Sequence, residues 1–298
     1  MNNLININEN FIGDVFVNKF FQFLDVNSKD TVRTYKNGIF NFLQYVKDHN
    51  VVKPNRNTIV NWKTNLKAKA SSSSTINTYL VAVKRFFNFL EMYGLYPDIA
   101  KFVKGYNVSV TPKKNVLTEK QIKIIYKNLN DKREKALFGL LITTGLRGIE
   151  VANAKIENIK IINGEYCLFI QCKGHTEPDE YVKLAPNIVN DIVNYIEDRR
   201  KGNIFISTSN HNNGKGISVL TVRRIIKSIF KRFGIDDETI SLHSTRRTFA
   251  CISYNNGQSI YDIQQVLHHK NIATTTRYLK QVDRNNNNSE NIVANILV

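Results

Sequence analysis

Two stretches in the first hundred residues carry bulky apolar side chains at a helical period. Val32, Tyr35, Ile39, Phe42, Leu43 and Val46 recur within residues 30–49, and Ile76, Tyr79, Leu80, Val83, Phe86, Phe87 and Leu90 repeat the theme within 75–91. Apolar residues three and four apart make one stripe along a helix, so each stretch predicts an amphipathic helix with a bulky core face. Between them, Thr58 to Ala70 around Trp62 predicts a lysine-rich helix, and the serine run 71–74 offers an N-cap for the next. The opening hundred residues therefore predict a small all-helical module whose aromatic rings form core and do not serve as base-stacking platforms. The basic residues Arg33, Lys36, Lys63, Lys67, Lys69, Lys84 and Arg85 are candidates for phosphate contact, with plain solvated charge as the competing reading.

Residues 104–116, KGYNVSVTPKKNV, lose this periodicity and gain a proline and a basic pair, which is how a linker reads. The expected organisation is a helical domain over 1–103, a linker over 104–116, a second domain over 117–283 and a tail over 284–298. In the second domain, LTEKQIKIIYKNL predicts a capped helix beginning near Thr118, and REKALFGLLITTG (133–145) a buried one. Residues 165–184 change to the alternation of a β-hairpin, with Lys173 at the shoulder of its turn, and 203–206 suggest a short third strand. Helices resume near Val219. The fold class expected is mainly α with a small β-sheet. The tail carries NNNN (285–288) and then an apolar NIVANILV that nothing upstream needs as core, so docking on a neighbouring molecule is expected of it.

Charge narrows the partner. The 298 residues carry a formal +17, and residues 1–110 hold 14 basic against 7 acidic side chains, so both halves are basic. That distribution suits a protein that surrounds nucleic acid better than one with a basic tail. Three cysteines, Cys167, Cys172 and Cys251, form no CxxC, which argues against a disulfide framework or a zinc site and for a reducing, cytoplasmic compartment. The N-terminus lacks the pattern of a secretory signal, and the longest apolar run, 136–146, is too short to span a bilayer. No cofactor is expected, since there is neither a paired acidic constellation for magnesium nor a GxxxxGK[ST].

Candidate chemistry clusters late in the chain. In QQVLHHKNIATTTRYLK (264–280), His269 and Tyr278 are nine apart. On one unbroken helix they would point to opposite faces, ~13 Å apart along the axis. The stretch instead predicts a helix with Tyr261, Ile263, Val266 and Leu267 on its apolar stripe, a turn at His269-Lys270-Asn271, and a second helix from Thr274, an arrangement able to bring the phenol back over the imidazole. Arg147 and Glu150 in TTGLRGIE, and His243 and Arg246 in LHSTRRTFA, share an i, i+3 relation that puts each pair on one helix face. Two arginines with histidines make a site for phosphate. Taken singly, each has a structural reading: a surface ion pair for Arg147 with Glu150, a helix cap for His243, a turn lysine for Lys173.

Taken in order, Arg147, Lys173, His243, Arg246, His269 and Tyr278 resemble the tyrosine recombinase (phage integrase-like) family, whose pattern is Arg, Lys, His-x-x-Arg, His or Trp, Tyr. The match covers roughly 115–280, and the helical first hundred residues look like the family's core-binding, SAM-like domain. Arg247 stands where the family often has a second histidine, and His268 where it usually has glycine.

The resemblance implies attack of Tyr278 on a DNA phosphodiester, giving a 3′-phosphotyrosine that a 5′ hydroxyl can reverse without ATP. Arg147 and Arg246 would clamp the non-bridging oxygens, with His269 donating a further hydrogen bond. His243 is the candidate base or proton carrier, Lys173 the candidate general acid, and Glu150 the support of Arg147. It further implies a homo-tetramer on paired double-stranded sites with inverted half-sites, a partner recombinase or accessory DNA-bending protein among the possible helpers, and no membrane role. The competing expectations are a type IB topoisomerase-like strand transferase and a non-catalytic DNA-binding regulator on the same fold.

Overall fold

A computed structural model of the chain describes residues 10–24, 29–108, 115–172, 177–210 and 212–286. The chain divides into two compact units, 1–109 and 110–298.

The first unit is helical: α1 (Asn10–Phe23), α2 (Lys29–Asp48), α3 (Arg56–Ala68) and α4 (Ser73–Met92). Local chemistry sets the boundaries. Asn55 and Thr58 form a reciprocal capping box at the start of α3, and Ser72 caps α4 through the Thr75 amide. The two apolar stripes meet: Ile39, Phe42, Ile76, Val83 and Phe87 are buried, and the Phe42 ring packs edge-on against Trp62 at 5.3 Å and Phe87 at 5.8 Å. Burial of each such ring removes enough apolar area to stabilise by about 2–3 kcal/mol. The Trp62 indole N–H is satisfied by Asn41 Oδ1 at 2.8 Å, so the aromatics are spent on core.

One basic candidate departs from expectation. Lys63 is buried, its ammonium bonded to the Lys104 carbonyl and set over the Tyr106 ring at 4.7 Å. Asn77 also brackets Tyr106, accepting from its amide at 2.7 Å and donating to its carbonyl at 2.8 Å. Residues 104–106 of the expected linker are thus tied to the helical unit. Lys63 holds them there, and is not presented to solvent like Arg33, Lys36, Lys67, Lys69 and Arg85.

The second unit is built on α6 (Lys132–Thr144), whose residues 136–141 are all buried because the helix is apolar on every side. Around it lie α5 (Glu119–Asn128), begun by a Thr118–Gln121 capping box, α7 (Gly148–Asn153), a 3₁₀ turn (Ile156–Asn158), and three antiparallel strands. The strands β1 (Ile159–Ile162), β2 (Glu165–Ile170) and β3 (Glu180–Lys183) stand in that order, with Leu168 opposite both Ile159 and Val182. The helices α8 (Pro186–Ile196), α9 (Val219–Arg232), α10 (Leu242–Asn255), α11 (Ile260–Val266) and α12 (Ile272–Asn286) complete it.

The third strand is not the one expected. Residues 203–206 touch Lys155 by a single bridge and bury Ile204 and Phe205, whereas β1 supplies the sheet's third strand. The signal for β1 was local. Asn163-Gly164 between two apolar runs takes left-handed backbone at both residues (φ 50° and 80°), the geometry of a two-residue hairpin. The helix α8 also lies beyond the expected elements, though Pro186 at its first turn and Ile188, Val189, Ile192 and Ile196 on its buried face mark it.

Gly145 caps α6 in the left-handed region (φ 63°), and a Cβ there would meet Leu267 Cδ2 at 2.7 Å and Phe249 Cδ1 at 2.8 Å. Gly164 shares the backbone conformation, with nothing within 4 Å of a Cβ. Gly164→Ala is expected to cost about 1 kcal/mol, from backbone conformation alone. Gly145→Ala adds overpacking, for a total of about 2–4 kcal/mol. Urea titrations of the two variants check the order, and equal losses would contradict it.

Candidate active site

Arg147 occupies the N-cap of α7, and Glu150 is the third residue of that helix. One carboxylate oxygen accepts the Arg147 amide at 2.6 Å and the other accepts its guanidinium Nη1 at 2.6 Å. This is no surface pair: the Glu150 side chain is fully buried, while Arg147 stays about a third exposed. A buried carboxylate thus presents a half-open guanidinium to solvent in one fixed pose.

Arg246, on α10, is buried and reaches under the same place. Its Nη1 donates to the Gly145 carbonyl at 2.7 Å and lies 3.9 Å from Glu150, its Nη2 donates to the Leu267 carbonyl, and its Nε has no partner among the described residues. Burial and repulsion from Arg147 lower its pKa to about 10 against the pull of Glu150, so it is still charged at neutral pH. Two backbone carbonyls, one from the α6 cap and one from the end of α11, therefore fix where this cation sits.

One helical turn before Arg246, His243 meets Tyr278 of α12: Nε2 and the phenol oxygen are 2.6 Å apart. The turn between α11 and α12 folds the phenol back as the broken-helix pattern requires, with His269 and Tyr278 rings edge-on at 5.4 Å. The His269 amide is bonded to the Gln264 carbonyl at 3.1 Å and its carbonyl accepts from the Gln264 side chain at 2.9 Å. Its Nδ1 is 2.8 Å from Thr275 Oγ1. Burial first, then the charges of Arg246 and Arg147, push the His269 pKa down to about 3, so the ring is neutral.

The stripe expected on α11 is half right. Ile263 and Leu267 are buried, whereas Tyr261 is 74% exposed and Val266 38%. A seven-residue helix covers the core with one short ridge, and the other two residues face outward. His268 takes left-handed backbone (φ 48°), which accounts for glycine being usual at such a position, and its Nε2 lies 3.7 Å from Glu180 on β3. Arg247 is buried within α10.

Two cavities flank Arg147. One of about 840 Å³ is lined by Arg147, Glu180, His268, His269 and Lys270 among others, and one of about 570 Å³ by Arg147, Arg223, His243 and Arg246. Arg147, Arg246, His243, His269 and Tyr278 are thus gathered in one cluster, while Lys173 and the tail beyond 286 lie outside the described residues. Sequence reasoning missed Thr275, Gln264, Glu180, Arg223 and the Gly145 carbonyl. The threonine run before Tyr278 was the one visible signal among them. The cluster combines two fixed cations, a neutral imidazole and a phenol hydrogen-bonded to a second imidazole, which suits a tetrahedral anion attacked by the phenol.

Residues 115–285 match the phage integrase family, and residues 17–94 match the phage integrase N-terminal SAM-like domain. The chain belongs to the phage integrase family. Among curated relatives of this integrase-family chain, tyrosine recombinase XerD of Oceanobacillus iheyensis is 27% identical over 283 residues, 88% of this chain and 92% of that protein. Tyrosine recombinase XerA of Pyrococcus horikoshii is 26% identical, covering 91% of each. The fold is similar to that of a lambda integrase tetramer bound to a Holliday junction (TM-score 0.70, 14% identity, 93% of this chain and 78% of that one). It is also similar to XerH site-specific recombinase bound to difH substrate in a pre-cleavage complex (TM-score 0.64, 17% identity, 83% and 75%).

The His269 pKa of about 3 lies below its ordinary 6.5, so the unfolded chain binds the proton that the folded chain refuses. This contribution to stability is intact above the unfolded value and is lost as pH falls from there towards 3. Between pH 7 and pH 5 the wild type is expected to lose up to about 2 kcal/mol more stability than His269→Gln. Denaturant midpoints at the two pH values measure the difference, and parallel losses would show that the ring is not desolvated.

Proposed function

We propose that this chain is a site-specific tyrosine recombinase that cuts and rejoins double-stranded DNA through a 3′-phosphotyrosine at Tyr278. The observation that carries the reading is the 2.6 Å contact between the Tyr278 hydroxyl and His243 Nε2 beside Arg147 and Arg246. A phenol with an ordinary pKa near 10 attacks slowly at neutral pH unless its proton has somewhere to go. His243 takes that proton as the phenol oxygen bonds to phosphorus. Arg147 and Arg246 neutralise the non-bridging oxygens of the phosphorane, and neutral His269 adds a hydrogen bond without adding charge. Lys173, which follows Cys172 in sequence, protonates the 5′ oxygen as its bond to phosphorus breaks, giving the free 5′ hydroxyl, in this reading. The phosphotyrosine conserves the energy of the broken phosphodiester, so another strand's 5′ hydroxyl closes the reaction without ATP.

The formal charge of +17 and the basic balance of both halves support a chain that grips DNA with the domain over 1–103 and the domain over 117–283, joined through 104–116. Arg33, Lys36, Lys67, Lys69, Lys84 and Arg85 are the phosphate contacts proposed on the helical unit. The substrate is a pair of simple sites with inverted half-sites, held by four copies that exchange their 284–298 tails. Relatives over about nine-tenths of the chain are named tyrosine recombinases, which favours this reading over a topoisomerase. Five of the six reacting groups are gathered and the sixth is present in sequence, which disfavours a non-catalytic regulator.

Tyr278→Phe is expected to abolish the covalent protein–DNA adduct on nicked duplexes from the native locus while leaving gel-shift affinity within about twofold, because the ring stays and only the nucleophile goes. An adduct formed by the variant would refute the assignment of the nucleophile.

A further inference from the structure

His269 and Thr275 raise a question that spacing alone does not pose: which ring nitrogen holds the proton? A neutral imidazole carries one N–H, and only the Nε2–H form can donate from the side of the ring away from Thr275. Thr275 is fully buried on α12, and its hydroxyl has His269 Nδ1, at 2.8 Å, as its one hydrogen-bond partner among the described residues. That hydroxyl has one hydrogen to place. Were Nδ1 to carry the proton and donate to Thr275, the hydroxyl hydrogen would be buried without an acceptor, which is costly. The opposite arrangement satisfies both groups.

The rest of the geometry is consistent. Neighbouring Thr276 bonds back to the Ile272 carbonyl at 3.2 Å, the usual resort of a helical threonine, whereas Thr275 makes no such bond and turns to the ring. The two Gln264 bonds to the His269 backbone hold the residue at the α11–α12 turn. Nε2 has no partner among the described residues, and the ring lines the larger cavity together with Arg147.

We propose that Thr275 is a positioning residue that fixes the tautomer of His269, its hydroxyl donating to Nδ1 so that Nε2 presents the N–H to the scissile phosphate. This rests on the recombinase reading for its catalytic consequence, while the tautomer itself is a property of the free protein. A threonine is suited to the task because its hydroxyl is a hydrogen-bond donor that adds no charge beside two arginines.

The test uses the full chain labelled with ¹⁵N-histidine, His269→Gln serving to assign the resonance, with Thr275→Val and Thr275→Ser alongside. Wild type is expected to show a pyridine-type Nδ1 and a pyrrole-type Nε2. In Thr275→Val, which keeps the side chain's shape, the Nδ1 resonance moves because its proton donor is gone, and Thr275→Ser restores it. On nicked DNA the valine variant forms the adduct roughly tenfold to a hundredfold more slowly, the scale seen when orienting partners of metal-bound histidines are removed. DNA affinity is unchanged and serine recovers most of the rate. A wild-type Nδ1–H tautomer overturns the proposal whatever the activity, as does an unshifted Nδ1 or a wild-type rate in the valine variant. Failure of wild type itself to form an adduct would instead count against the recombinase reading, with the NMR assignment still legible.

Discussion

The site is organised by one buried carboxylate. Glu150 receives the amide and guanidinium of Arg147 and lies 3.9 Å from Arg246, and its side chain is shut off from water. Two guanidinium groups packed this closely in a half-dry place would repel, and both would lose hydration. The carboxylate offsets that repulsion and fixes the direction of Arg147. Net positive charge is left over at the surface, which is what an incoming phosphate requires.

The second constraint is steric. Gly145 ends α6 where a side chain would run into Leu267 and Phe249, so α10 and the end of α11 close directly on the helix terminus. That close approach lets one guanidinium, Arg246, bond to carbonyls from two other elements, Gly145 and Leu267. Core packing and the charged cluster share the same few atoms here, so a cavity-scale change in the core moves a charged group in the site. The same packing dehydrates His269 and keeps it neutral beside two cations.

Much of this was legible in the sequence. The stripes of α2 and α4, the capping residues before α4 and α5, and the break between α11 and α12 all follow from period and cap chemistry within one segment. The candidate site residues were legible because their types and spacings conform to a known family pattern. β1 and α8 carried local signals that went unread, and the other failures depended on what a second segment or a short element could cover. Lys63 looked like any helical lysine until Tyr106 and the Lys104 carbonyl came to cover it. Residues 203–206 had the composition of a strand, but the sheet edge was filled by β1, whose Asn163-Gly164 turn made the nearer pairing. Tyr261 and Val266 fitted a stripe that a seven-residue helix has no room to bury.

The sequence by itself determined a basic chain with a helical first domain, a second domain with a small sheet, and six side chains suited to phosphoryl transfer. Periodicity, caps and residue chemistry are local properties, carried within a few turns of chain. Only the tertiary structure decided that Glu150 is buried and not a surface partner, that the Tyr278 phenol meets His243 directly, and that a threonine hydroxyl sits on Nδ1 of His269. A helical period says which residues share a face. It does not say what that face will meet, because this is settled by packing elements that lie far apart in sequence.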